Sequence, residues 1–180
     1  MVYVFLAQGF EEMEAVAPID LLRRAGCDVQ TVAVGSSRTV VGSHGIPMTA
    51  DITTAEVKTG GLEAVILPGG MPGTLHLEAD ATVQAMIDTA VSRQLVIGAI
   101  CAAPSILGHK GLLDGKKAVC FPGFEDVLRG AQVVSSTVVT DGRFVTAKGA
   151  GAATEFGLAL VNLLVSPEKA RELREGIQCK

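Results

Sequence analysis

The chain has no tryptophan, one tyrosine and six phenylalanines among its 180 residues. So few aromatic rings leave nothing like the stacking platforms of single-strand nucleic-acid binders. No cluster of Lys and Arg stands out, and the formal net charge is −4. Neither a nucleic-acid groove nor an anionic membrane surface is therefore expected. The four cysteines, Cys27, Cys101, Cys120 and Cys179, are far apart and form no CxxC pair. That spacing argues against structural zinc and for free thiols in a reducing compartment. The opening MVYVFLAQGFEE has no basic lead, and its apolar run is too short for a signal peptide or a membrane span. The expectation is a cytoplasmic protein.

What is present points to a packed domain. Hydrophobic residues make up 48% and charged residues 19% of the chain, which excludes disorder and suits a sheet covered on both faces. The length fits a single domain over 1–180. Strands are predicted at 2–7, 27–35, 63–70, 95–100 and 117–121. A hairpin is predicted over 39–51, turning near Gly42-Ser43-His44-Gly45, and two or three short strands fall within 132–149 around Asp141-Gly142. The first helix follows the first strand, with glutamates in its first turn, Arg23-Arg24 in its last and Gly26 as its stop. Residues 73–93 read as largely helical, and a short helix follows Cys101. An apolar helix includes ATEFGLALVNLLV, and SPEKARELREG reads as a separate, exposed terminal helix capped by Ser166. This alternation predicts a parallel sheet with helices on both faces, whose ligands bind at the carboxyl ends of the strands.

The stretch VIGAICAAPS, residues 96–105, puts a thiol where a strand stops and a helix begins. A sharp turn of this kind lifts its central side chain above the sheet and demands small residues two before and two after it, here Ala99 and Ala103. A helix N-terminus beginning at Ala102 favours the thiolate. A fall in pKa from ~8.5 to roughly 5.5 would raise the neutral-pH thiolate about thirtyfold. A buried free cysteine is also a common core residue; the flanking alanines, the proline and the strand end favour function. LPGGMPG, residues 67–73, ends another predicted strand at the same sheet edge. It reads equally as a tight turn or as a source of N–H groups, at Gly69 and Gly70, which with Ala102 form an oxyanion hole. Glu14 alone reads as part of a solvated helix face. Beside Cys101 it reads as an acid that shares one proton with sulfur.

Taken together, GFEEMEAVAPIDLLRRAG, VILPGG, AICAAPSIL and KGAGAATEFGLALVNLL resemble the ThiJ/PfpI superfamily, in its DJ-one branch. The resemblance runs over almost the whole chain. It implies a flavodoxin-like three-layer α/β/α sandwich with a nucleophile elbow, usually homodimeric. It also implies that Cys101 is the reactive, oxidation-prone cysteine, Glu14 its carboxylic partner, and the Gly70 and Ala102 amides the stabilisers of negative charge on oxygen. Activities in such relatives include cofactor-independent glyoxalase and deglycase chemistry, redox sensing and chaperone action.

Departures from the family pattern narrow these expectations. Protease-like members have His directly after the cysteine, where this chain has Ala102, so peptidase activity is not expected. Phe121-Pro122 stands in place of His-Pro, His44 lies near the position of an arginine, and Ala150 replaces a proline. His44 and Arg24 are candidate pocket residues. Cys120 is a candidate neighbour and a conceivable disulfide partner of Cys101. His109, eight residues beyond Cys101, is about 12 Å away along a continuous helix and reads as a helix-end charge. His76 reads as a surface residue. The leading expectation is a thiolate enzyme acting on small reactive carbonyls without metal or organic cofactor. Redox sensing through a Cys101 sulfinate is the alternative, and an amide hydrolase or amidotransferase-like role the weaker one.

Overall fold

Val2, Val4 and Leu6 point to one side of the first strand and Tyr3 and Phe5 to the other, and all five are buried. A strand apolar on both faces must lie inside a covered sheet. The computed structural model, which describes residues 1–179, places it there. The elements run β1 (Val2–Leu6), α1 (Glu12–Arg24), β2 (Val29–Ala33), β3 (Thr39–Val41), β4 (Pro47–Thr49), β5 (Ile52–Thr53), β6 (Ala64–Leu67), α2 (Gly73–Ala79), α3 (Ala81–Ser92), β7 (Val96–Ile100), α4 (Pro104–His109), β8 (Lys117–Ala118), β9 (Gln132–Val133), β10 (Val138–Asp141), β11 (Phe144–Ala147), α5 (Ala153–Leu164) and α6 (Pro167–Gly176).

The central sheet has the order β10-β11-β7-β6-β1-β2-β5 and is parallel except for β10. Ala15, Ile19 and Leu22 of α1 and Phe156, Leu160 and Val161 of α5 cover one face. Leu77 of α2, Ile87 and Ala90 of α3, and Ile106 and Leu107 of α4 cover the other. This is a flavodoxin-like α/β fold. β6, β1 and β7 are neighbours at its centre, so their carboxyl ends, and the loops that follow, meet at one edge.

Several boundaries differ from the predicted ones. The helical segment 73–93 is two helices, because the Asp80 side chain accepts hydrogen bonds from the Thr82 and Val83 amides, both at 2.9 Å, and so caps α3. The strand at 117–121 covers only Lys117–Ala118, since the Phe121 N–H is drawn to the Cys101 carbonyl at 2.8 Å. The helix after Cys101 begins at Pro104, later than Ala102. The predicted hairpin is present as β3–β4, followed by the unforeseen edge strand β5 on β2. The terminal helix α6 is not separate. Its Leu173 is buried against the α1–α5 core, and Arg174 forms a two-pronged ion pair with Glu155 of α5.

α1 and α5 pack closely at Gly157, where an added Cβ would lie 2.7 Å from Leu21 Cδ1 and 3.1 Å from Pro18 Cα. Gly157→Val is therefore expected to destabilise the protein by about 2–3 kcal/mol, the overpacking strain exceeding the gain in helix propensity. Urea denaturation measures it, and an unchanged midpoint would show that the two helices separate at no cost.

Candidate active site

Cys101 follows β7 directly and holds the left-handed backbone conformation, φ +65°, that cysteine rarely adopts. Two hydrogen bonds fix that strained turn. The Cys101 N–H donates to the Ala147 carbonyl at 2.9 Å, and the Cys101 carbonyl accepts the Phe121 N–H at 2.8 Å. Ala99 and Ala103 are fully buried on either side, as the predicted elbow requires. The thiol is half-buried, and the Ala102 and Gly70 N–H groups near it favour its ionised form.

Glu14 reaches the thiol from α1 and is fully buried. Its Oε2 accepts the Gly69 N–H at 2.9 Å. Its Oε1 is buried with no conventional partner, and the side chain this carboxyl interacts with is the Cys101 thiol. Gly69 lies between the two. A Cβ there would stand 2.6 Å from Glu14 Oε2 and 2.7 Å from Cys101 Cβ, so no side chain fits. The Gly69 carbonyl accepts the Glu11 N–H at 2.9 Å, and the Glu11 carboxylate caps α1 by accepting the Glu14 N–H at 2.8 Å. The glycine turn and the start of α1 are thus laced together through one peptide unit.

The electrostatics correct one expectation. Burial, then the charge and hydrogen bond of Glu14, push the Cys101 thiol up to about 12, and the Ala102 and Gly70 amides only partly oppose this. Burial, with the charge of Glu11, likewise pushes Glu14 up to about 7, against the hydrogen bonds from Cys101 and Gly69. The two groups titrate as a pair: one proton leaves near neutrality and the other is retained. The expected independent acidity near roughly 5.5 is absent, because burial and a neighbouring carboxylate outweigh the helix terminus. α4 is only six residues long and starts three positions past the thiol. A thiolate exists within this pair when the retained proton sits on Glu14. Hydrogen bonds from Gly70 and Ala102 favour that arrangement, whereas the Gly69 N–H favours the other.

Glu12, read from sequence as a simple first-turn charge, clamps the β3–β4 turn. Its carboxylate accepts the His44 N–H at 2.9 Å and faces His44 Nδ1 at 2.9 Å. Burial opposes ionisation of Glu12, but bonds from His44 and Ile46 hold it down at about 2. Hydrogen bonding to Glu12, and its charge, raise the His44 imidazole in turn. Ligating atoms of Glu11, Glu12 and His44 lie within 4.8 Å of one another, the one such three-residue group among the described residues. The turn chemistry of Gly42-Ser43-His44-Gly45 was legible, but its dependence on Glu12 had no local signal.

The other candidates separate. Phe121, 47% exposed, lies beside Gly149 and Ala150 in a shallow hollow next to the elbow. Thr137 and Lys148 join that hollow and were not foreseen. Cys120 is buried in the core under α2–α4, whereas Cys101 packs against the α1–α5 side; this opposite placement does not favour a disulfide between them. Burial, then the charge of Glu125, pushes the Cys120 thiol up to about 11. Arg24 is at the far end of α1, paired with Asp20 at 2.7 Å and away from the thiol. His76 Nδ1 bonds to the Gln8 carbonyl at 2.8 Å, and His109 pairs with Glu78.

A flavodoxin-like α/β protein with a cysteine at a strained strand-to-helix elbow and a buried carboxyl beside it is the class these features define. The chain belongs to the DJ-1/PfpI family, whose model matches residues 1–163. It is 39% identical over 175 residues to Protein DJ-1 homolog A of Arabidopsis thaliana, covering 96% of this chain but only 45% of that protein's length. It is 32% identical over 165 residues to the glutathione-independent glyoxalase DJR-1.2 of Caenorhabditis elegans, covering 91% of this chain and 87% of that one. Among solved structures it resembles a cysteine-to-alanine mutant of a DJ-1 superfamily protein from Salmonella typhimurium, with a TM-score of 0.91, 39% identity, and 98% and 97% of the two chains covered. Oxidised DJ-1 of Toxoplasma gondii superposes with a TM-score of 0.94 at 35% identity, over 98% and 97%.

The raised Glu14 pKa has a consequence for stability. The folded protein retains a proton that an unfolded carboxyl releases above pH 4.5, so this contribution is fully present below that pH and is lost as pH rises through about 7. Glu14→Gln, which cannot ionise, is expected to gain up to about 3 kcal/mol on the wild type between pH 5 and pH 8. Urea denaturation at both pH values reads the difference, and a margin that does not change with pH would place the titration elsewhere.

Proposed function

We propose that the chain is a cofactor-independent thiol enzyme acting on reactive 2-oxoaldehydes, converting methylglyoxal to lactate or acting on related glycation adducts. The observation that carries this reading is the fully buried Glu14 carboxyl beside the strained Cys101 turn, with Gly69 wedged between them and the Gly70 and Ala102 amides nearby. The name of the C. elegans relative supports it.

With the shared proton on Glu14, the Cys101 thiolate adds to the aldehyde carbon. The Gly70 and Ala102 amides lie where the new oxyanion forms, and Glu14 gives it the proton to complete a hemithioacetal. The Glu14 carboxylate then takes the proton from that carbon and delivers it to the adjacent carbonyl carbon, while the hydroxyl proton passes to the former ketone oxygen through the enediol, leaving a thioester of the 2-hydroxy acid. Water hydrolyses the thioester, so the sum is 2-oxoaldehyde plus water giving 2-hydroxy acid. No step needs an imidazole. The three histidines are engaged with Glu12, Gln8 and Glu78, which counts against an amide hydrolase or amidotransferase-like role.

Redox sensing is the second reading. A Cys101 sulfinate would be held by the same amides and by protonated Glu14, and the oxidised form in which the T. gondii relative was solved supports it. Either role fits a cytoplasmic homodimer. The exposed Met13 and Val16 on the outer face of α1 supply apolar surface for a second copy, and Cys27, Cys101 and Cys120 are free thiols.

Metal-stripped protein fed with methylglyoxal is expected to release lactate, with Cys101→Ala at background and Glu14→Gln slowed by about a hundredfold or more. Equal turnover by wild type and Cys101→Ala would end the enzymatic reading. Gain of two oxygens at Cys101 after mild peroxide, with no carbonyl turnover, would establish the second reading in its place.

A further inference from the structure

The chain that begins with β8 reaches the elbow as a ladder of amides. Alternate N–H groups of an extended chain face one side, and in residues 117–121 that side faces β10, β11 and the elbow. The Lys117 N–H donates to the Asp141 carboxylate at 2.9 Å, the Val119 N–H to the Thr146 hydroxyl at 3.0 Å, and the Phe121 N–H to the Cys101 carbonyl at 2.8 Å. The first two acceptors are side chains where a paired strand would offer carbonyls. The last is the backbone of the nucleophile itself. On the opposite side the Lys116 and Ala118 carbonyls accept the Gln132 and Val134 amides at 2.7 and 3.0 Å. The middle rung is the buried one, with Thr146 1% and Val119 4% exposed. Thr146 is also the chain neighbour of Ala147, whose carbonyl accepts the Cys101 N–H at 2.9 Å. Two consecutive residues of β11 thus serve the two ties of the strained turn, Ala147 directly and Thr146 through Val119 and Phe121.

Resting on the reading of the chain as a 2-oxoaldehyde enzyme, we infer that Thr146 is a positioning residue for that reaction, its hydroxyl setting where the Phe121 amide meets the Cys101 carbonyl and so the direction in which the sulfur leaves the sheet. In this role Thr146 touches neither substrate nor sulfur and acts through two other residues. The hydroxyl serves as an acceptor, so its lone pair matters and the size of the side chain does not. In Thr146→Val the shape is kept and the oxygen is gone, which leaves the Val119 N–H buried without an acceptor. A chain relieves that cost by moving the amide towards water. Phe121, two residues on, then slides off the Cys101 carbonyl, and the turn at φ +65° keeps one tie in place of two. A reacting group loses rate steeply when displaced by about 1 Å.

Thr146→Val, which removes the hydroxyl, and Thr146→Ser, which keeps it, are compared with the wild type. Thr146→Val is expected to lose about tenfold or more in kcat for methylglyoxal to lactate with KM within about twofold, and Thr146→Ser to stay near the wild type. Alkylation of Cys101 by iodoacetamide at neutral pH should slow by a similar factor in Thr146→Val alone. Hydrogen exchange should quicken there at Phe121 while the amides of β1 and β6 stay protected. Equal losses in Thr146→Val and Thr146→Ser, or wild-type kcat and alkylation rate in Thr146→Val, overturn the assignment. Should Thr146→Val fail to fold, exchange in the wild type decides. Val119 and Phe121 amides protected together support the ladder, and Val119 exchanging freely while Phe121 stays protected overturns it. Absence of carbonyl turnover in the wild type overturns the enzymatic reading alone, and the alkylation and exchange rates then judge Thr146 as a support of the thiol.

Discussion

The peptide unit of Gly69 is the joint on which the site depends. Its N–H is held by the Glu14 carboxylate and its carbonyl by the Glu11 amide, while the Cys101 Cβ presses against the place where a side chain would be. One residue with no side chain thus fixes how close an acid on α1 and a sulfur after β7 can come. The sheet supplies the coarse placement, since β6 lies between β1 and β7. The lacing supplies the rest, with hydrogen bonds of 2.8–2.9 Å in place of a covalent link.

Three glutamates within four residues do three different things. Glu11 caps the helix, Glu12 holds a hairpin from another part of the chain, and Glu14 is buried beside the thiol. Their environments push them apart: bonds to His44 and Ile46 hold Glu12 at about 2, whereas burial lifts Glu14 to about 7. Glu12 and Glu14 differ because Glu12 gathers donors from the β3–β4 turn, whereas one oxygen of the buried Glu14 has no conventional donor. That separation lets a single carboxyl hold a proton at neutral pH next to charged neighbours.

Much of this was legible in the sequence. Alternating apolar strands and capped helices gave the layers and the parallel sheet, and the small residues around Cys101 gave the elbow. Glu14 was legible only in company with Cys101, because a lone glutamate on a first turn looks like any other surface charge. The acidity of the thiol was misread, because a helix start is visible in sequence whereas desolvation and a neighbouring charge are three-dimensional quantities. The Asp80 cap is present in the chain but is masked by the long helical pattern around it. The Glu12 clamp, the edge strand β5 and the docking of Leu173 depend on contacts between distant segments, and periodicity carries no trace of these.

The elbow's own supports come from late in the chain. Cys101 is held by Phe121 and Ala147, and the face it packs on is completed by α5. During synthesis the sulfur therefore leaves the ribosome well before the turn that strains it can close. A nascent or truncated chain carries an ordinary flexible mercaptan, and the special proton-sharing arrangement arises only once the carboxy-terminal third has docked. Whatever chemistry this sulfur performs is thereby reserved for finished molecules.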